Sequence, residues 1–128
     1  MTITLIGETP SKKNSRINTR SGRSFPSQRY MQWHDSVVCE LRYALAKKQL
    51  TRFSNGIPLS LTVTFYHDNM RRRDSDNQLS SILDTLTDVG IIPDDKWTVL
   101  PEKHIYDRYD KGNQRCVIEI SEFSGSIK

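Results

Sequence analysis

A change of hydrophobic period between residues 59 and 90 constrains the fold more than any other feature of this sequence. Apolar residues occupy every second position over residues 59–65, which predicts a half-buried β-strand. This strand leads to the run RRRDSDN, residues 71–77. The helical spacing i, i+3, i+4, i+7 follows, in Leu79, Ile82, Leu83 and Leu86. It predicts an amphipathic helix from about Asp76 to Asp88, stopped by Gly90.

Four more segments have the patterns of regular elements. Alternation predicts a strand over residues 2–6, and helical spacing predicts a helix over about residues 27–50. Residues 97–108 and 114–121 read as two strands, and the turn sequence Asp110-Lys111-Gly112-Asn113 predicts that they form a hairpin. The pattern as a whole predicts an α+β fold with about four strands and two main helices.

Length and composition limit the class of protein. With 128 residues, the chain is expected to form a single domain, residues 1–128, with a frayed polar tail at 122–128. It has neither an apolar run of the roughly 20 residues that a membrane helix needs nor the pattern of a signal peptide, so a cytoplasmic protein with no membrane partner is expected. Cys39 and Cys116 form no CxxC pair and are expected to be buried, reduced thiols.

Positive charge is concentrated near the amino terminus. The formal net charge is only +4, but no acidic residue lies between Glu8 and Asp35. This stretch, whose loop is expected at residues 10–30, contains Lys12, Lys13, Arg16, Arg20, Arg23 and Arg29. Interleaved asparagines, serines and a glycine suit phosphate binding, although a solubilising loop has the same composition, and both interpretations stay open at this point.

Two pairs of aspartates flank the predicted central helix. One capping aspartate is enough to start a helix, so a self-neutralising turn is one interpretation of Asp74 and Asp76. A further pair, Asp94 and Asp95, exceeds that need. Carboxylates that converge are most naturally ligands of Mg²⁺ or Mn²⁺, because a cation relieves their repulsion. The helix between the pairs is roughly 18 Å long, so convergence is possible but not forced, either through the loop or across a subunit interface.

A hard cation beside arginines predicts phosphodiester hydrolysis. The metal would activate the attacking water, while Arg71, Arg72 and Arg73 would hold the nucleic-acid backbone. Other chemistries have less support. An EF-hand is excluded because Leu79 and Thr85 stand where it needs glycine and glutamate. The three histidines fit no metal-ligand spacing, and no glycine-rich phosphate loop or GxSxG motif is present.

The central run RRRDSDNQLSSILDTLTDVGIIPDDKWTV resembles the signature of the RusA family of Holliday-junction resolvases. The segments PSKKNSR and SGRSFPSQRYMQW are similar to the basic region of phage-borne members. This resemblance implies a small mixed, largely antiparallel sheet in a homodimer. It also implies a Mg²⁺-dependent endonuclease that nicks four-way DNA junctions at two symmetric positions, in recombination and repair.

The resemblance also assigns roles to residues, with the DxDN–helix–DD core at 71–95. The catalytic, metal-binding aspartates fall on Asp74, Asp76 and Asp95, with Asp94 beside them. From the basic loop and the arginine run, the residues expected to bind DNA are Lys12, Lys13, Asn14, Arg16, Arg71, Arg72 and Arg73. Asn77 matches the motif as a helix-start or supporting residue.

Ser80 departs from the family pattern, because well-studied members have a catalytic lysine there. Lys96, Arg73 or Lys13 are candidates to supply the missing charge. Two alternatives therefore stay open beside the resolvase. One is a protein of the same fold that binds junctions with weak or no cleavage, and the other is a metal-stabilised interaction module without a DNA role.

Overall fold

The computed structural model describes residues 1–11, 16–18, 20, 22 and 24–128. In chain order the elements are β1 (Thr2–Ile6), β2 (Arg16–Asn18), β3 (Ser24–Pro26), α1 (Gln28–Ala46), β4 (Leu59–His67), α2 (Ser75–Asp88), β5 (Glu102–Tyr109) and β6 (Arg115–Glu122). The β2 and β3 strands pair with each other antiparallel, in the basic segment.

The other four strands form one mixed sheet in the order β1-β6-β4-β5. The β6 strand is antiparallel to both β1 and β4, whereas β5 runs parallel to β4. A parallel pair needs a crossover connection, and here α2 provides it. Together with the two long helices, this confirms the predicted α+β fold and its largely antiparallel sheet.

The predicted hairpin between the last two strands is wrong. The turn itself exists, since the Asn113 amide donates to the Asp110 carbonyl at 3.1 Å, but β4 lies between β5 and β6. Turn residues report only local backbone geometry, whereas the pairing of strands follows from which faces are buried. The β4 strand carries the most buried face of the sheet, and it lies in the interior of the sheet. The strand predicted from residue 97 also begins later, at Glu102, because residues 97–99 form a turn.

The core lies against one face of the sheet. Alternate residues of β4, from Leu59 to Phe65, are buried, as the period-2 pattern predicted. They belong to one cluster with Ile82 and Leu86 of α2, both of which are 0% exposed. Each such buried side chain contributes about 1.5–3 kcal/mol relative to an exposed one. This packing fixes α2 on the sheet and thereby sets the position of its amino end.

The first helix starts where the sequence predicted and ends earlier. Ser27 caps α1, and its Oγ accepts from the Tyr30 amide at 3.1 Å. The helix ends at Ala46 instead of Leu50, because Lys48 has a φ of 59°.

One cysteine is buried as expected and the other is not. Burial raises the pKa of the Cys116 thiol to about 12. Cys39 is exposed, contrary to the prediction, because it lies on the solvent side of α1. Among the described residues, no helix has the length and apolar character required to cross a membrane.

Candidate active site

Two carboxylates stand at the amino end of α2. Asp74 is the N-cap residue, yet its side chain bonds to no helix amide and instead accepts from the Asn77 side chain at 3.2 Å. Asp76 lies in the first turn and is exposed, as is Asp74. Within the part of the chain that the structure describes, the Asp76 carboxylate has no hydrogen-bond partner. Both carboxylates are therefore available to a cation.

The three arginines before these aspartates have different environments. Arg71 and Arg72 are exposed, whereas the Arg73 side chain is only 9% exposed. Its guanidinium donates to the Glu8 carboxylate at 2.5 Å and to two carbonyls of its own loop, those of Asn69 and Arg71. Arg73 thus ties the loop that carries the aspartates to the end of the first strand.

Glu8 is an acidic partner that sequence reasoning did not identify. Partial burial alone would raise its pKa, but the hydrogen bond and charge of Arg73, together with Arg29 at 3.3 Å, hold the pKa of Glu8 below its usual value. Glu8 is therefore held ionised between two arginines. The only sequence signal was its place as the last acidic residue before the basic segment.

Buried hydrogen bonds attach the chain before the basic segment to α2. The Gln78 side chain donates from Nε2 to the Thr9 carbonyl at 2.9 Å, and Ser81 Oγ donates to the Pro10 carbonyl at 2.6 Å. The chain consequently enters the basic segment beside the aspartates. A cleft of about 260 Å³ lies between the two parts, and its lining includes Glu8, Asp74 and Gln78.

Four of the seven residues expected to bind DNA cannot be placed in the same way. Lys12, Lys13 and Asn14 lie outside the described residues, and for Arg16 the structure gives only its backbone in β2. The accessory residue Ser80 is exposed, and its hydroxyl donates to the Asp76 carbonyl at 3.3 Å. The roles of these residues in DNA binding and catalysis remain predictions.

The second aspartate pair lies away from the first. Asp94 and Asp95 follow α2, in a segment whose flanking residues Ile91 and Val99 bond to Phe53 and to Leu59 at the start of β4. Asp74, in contrast, follows the end of that strand. The Asp95 amide, followed by other local groups, lowers the pKa of Asp94. Asp95 and Lys96 are exposed.

A different trio of potential metal ligands is clustered between the two helices. Among the described residues, His34, Asp84 and Asp88 have ligand atoms within 4.8 Å of one another, and Asp74, Asp76 and Asp95 form no such group within one chain. His34 Nε2 lies 2.6 Å from Asp88, and buried Tyr30 donates its hydroxyl to Asp84. Burial, and then Asp84, raise the pKa of Tyr30. These contacts join α1 to α2, across 54 residues of sequence.

A second cleft, of about 220 Å³, lies at the carboxyl ends of β4 and β5. There His67 Nε2 is 2.7 Å from the Asp107 carboxylate, and Arg71, Arg108 and Tyr109 line the opening. The sequence placed His67 near the arginines but gave no sign of Asp107, because that contact depends on the parallel pairing of the two strands.

Comparison with known proteins gives a family match and a relative. A family model described as "Endodeoxyribonuclease RusA" matches residues 7–121. The chain is also 29% identical, over 112 residues, to a protein of Aquifex aeolicus (strain VF5) named "Crossover junction endodeoxyribonuclease RusA". That alignment covers 88% of this chain and 83% of the relative.

Proposed function

The chain belongs to the RusA family of endodeoxyribonucleases, and from this we propose that it resolves four-way DNA junctions. The reaction is a divalent-metal-dependent hydrolysis that introduces paired symmetric nicks during recombination or repair. The observation that carries the proposal is the pair of exposed carboxylates, Asp74 and Asp76, which follow the exposed Arg71 and Arg72 within the same short run. The proposed setting of this reaction is the cytoplasm.

The donor set fits Mg²⁺, with Mn²⁺ as a substitute. Both ions prefer carboxylate oxygens, and the Asp76 carboxylate has no partner among the described residues. Asp74, Asp76 and Asp95, with Asp94 nearby, would hold the ion. When bound, it supplies activation of water and neutralisation of phosphate charge.

The remaining residues orient the DNA. Arg71 and Arg72 present exposed guanidinium groups beside the aspartates and are suited to bind the phosphates that flank the cleavage position. The basic segment adds Lys12, Lys13, Asn14 and Arg16. Arg73 adds its charge to this surface, and its guanidinium is held in place by Glu8. Asn77 supports Asp74 through their side-chain hydrogen bond.

A homodimer completes the site. Within one chain α2 separates Asp95 from Asp74 and Asp76, so we propose that Asp95 of a second copy reaches them. The Asp95 segment suits an interface, because Trp97 beside it is 64% exposed. Two sites related by a two-fold axis would place two cuts symmetrically in a symmetric junction.

The proposal is tested by cleavage of a synthetic four-way junction and a matched linear duplex, with Mg²⁺, with Mn²⁺ and with chelator. Wild type should nick the junction symmetrically and spare the duplex. Asp76→Asn should abolish cleavage while sparing or tightening junction binding, because it removes a ligand and a repulsive charge together. Equal loss of binding and cleavage, or cleavage that persists in chelator, would refute this assignment.

Ser80 favours a second candidate function, a protein that binds junctions with little or no cleavage. The serine brings no positive charge to the site, and this candidate holds if none of Lys96, Arg73 and Lys13 supplies that charge. Tight binding without nicks under either metal would select this candidate. Weak binding that hardly changes with salt would instead exclude both DNA functions, because phosphate contacts make affinity fall steeply with salt.

A further inference from the structure

We propose that Gln78 contributes its amide oxygen to the divalent-cation site of Asp74 and Asp76. The inference rests on the proposed function, since it assumes a cation at the amino end of α2. It adds a neutral oxygen, close to Asp74, to a site otherwise composed of carboxylates.

The orientation of the Gln78 amide is fixed. The side chain is 4% exposed, and its Nε2 donates to the Thr9 carbonyl at 2.9 Å. Reversing the amide would place two oxygens against each other. The observed orientation leaves Oε1 buried without a donor among the described residues. Native proteins rarely leave a buried acceptor without a protein donor, a water or an ion beside it, so Oε1 is expected to have such a partner.

The position of Gln78 indicates which partner. It lies one turn after Asp74 on the same side of α2, and its backbone amide donates to the Asp74 carbonyl at 3.1 Å. Both residues line the cleft of about 260 Å³. A ligand that enters the cleft beside the Asp74 carboxylate therefore approaches the buried amide oxygen too.

Electrostatics explain why an additional oxygen matters here. The amino end of a helix carries partial positive charge, which opposes a cation. Arg73 and Arg29 add two positive charges to the same cleft, and Glu8, which bonds both, offsets one of them. A divalent ion at Asp74 therefore benefits from every oxygen that the protein can present. An amide oxygen is a suitable partner, since hard cations take carbonyl oxygens and waters as well as carboxylates.

The test is a titration of the full chain with Mn²⁺ alone, with free ion measured by electron paramagnetic resonance. Gln78→Met keeps the volume and removes the oxygen, and it should weaken Mn²⁺ affinity about 10-fold or more. Gln78→Glu places negative charge at the same position and should tighten it. A gain in affinity cannot result from misfolding, and thermal unfolding without metal checks the Met variant.

Ser81→Ala is the matched control. Ser81 holds the same segment through the Pro10 carbonyl at 2.6 Å and is not among the residues that line the cleft. Its affinity for Mn²⁺ should stay within about twofold of wild type. If both Gln78 variants weaken binding only as much as Ser81→Ala does, Gln78 merely holds the loop and the inference is overturned.

Asp74→Asn separates the inference from the proposed function. If Asp74→Asn weakens Mn²⁺ binding but Gln78→Met leaves it unchanged, only the role of Gln78 is refuted. If wild type binds no Mn²⁺, or Asp74→Asn changes nothing, the cation site itself is wrong and the inference fails with it.

Discussion

At the scale of single residues, Glu8 and Arg73 decide how the aspartate loop is held. The first prediction is that Glu8→Gln lowers the free energy of unfolding at pH 7 by about 1–2 kcal/mol, because the ion pair with Arg73 becomes a hydrogen bond to an uncharged amide. The folded pKa of Glu8 lies below its unfolded value, so this stability is present above the unfolded pKa and is lost as pH falls through the folded one.

Thermal unfolding as a function of pH checks the role of Glu8. Wild type and Glu8→Gln should differ at pH 7 and converge as pH falls through the lowered folded pKa of Glu8. Glu40→Gln, which removes the same charge from the exposed surface of α1, is the control and should differ little from wild type throughout. A Glu8 effect that is independent of pH would show that its charge is unimportant.

The prediction for Ser80 is that replacing it with lysine increases the cleavage activity. Ser80 is exposed and makes only a 3.3 Å bond to the Asp76 carbonyl, so Ser80→Lys should fold normally. A lysine there would lie one turn from Asp76 and stabilise charge on the phosphate, raising the single-turnover cleavage rate about 10-fold or more. Ser80→Gln is the uncharged control, and an equal rate in both variants would contradict a role for charge.

At the scale of elements, α2 illustrates what the sequence could predict. Its apolar stripe specified both the helix and its buried face, because a strong 3.6-residue period has few competing interpretations. The same periodic logic predicted β4. It could not predict that β5 pairs parallel to β4, since the local turn at residues 110–113 suits a hairpin and only the packed sheet excludes one.

The packing of α2 supports an element-scale prediction. Ile82 is fully buried, so Ile82→Ala should lower the free energy of unfolding by about 2–5 kcal/mol. Ser80→Ala, on the exposed side of the same helix, should change it by about 0.5 kcal/mol or less. Denaturant unfolding measures both. Similar values for the two variants would mean that the Ile82 side does not anchor α2.

At the scale of the whole molecule, the sequence motif predicted which aspartates are candidate ligands but not how they would meet. Asp74 and Asp76 follow from the motif, and the structure places them together at the start of α2. The contacts of Glu8 and Gln78 join segments more than 60 residues apart, and no local pattern reveals such pairs. Whether Asp95 would complete the site of its own chain or that of a second copy depends on how the chains assemble, and no local sequence pattern encodes that.

Mixing two inactive variants distinguishes these arrangements of Asp95. If each site combines Asp76 of one copy with Asp95 of the other, a heterodimer of Asp76→Asn and Asp95→Asn has one doubly defective site and one intact site. Random mixing should then restore about a quarter of the wild-type sites, seen as single nicks in the junction. If each chain holds its own complete site, every site in the mixture keeps one defect. The mixture would then be as inactive as either variant alone, and the shared site would be refuted.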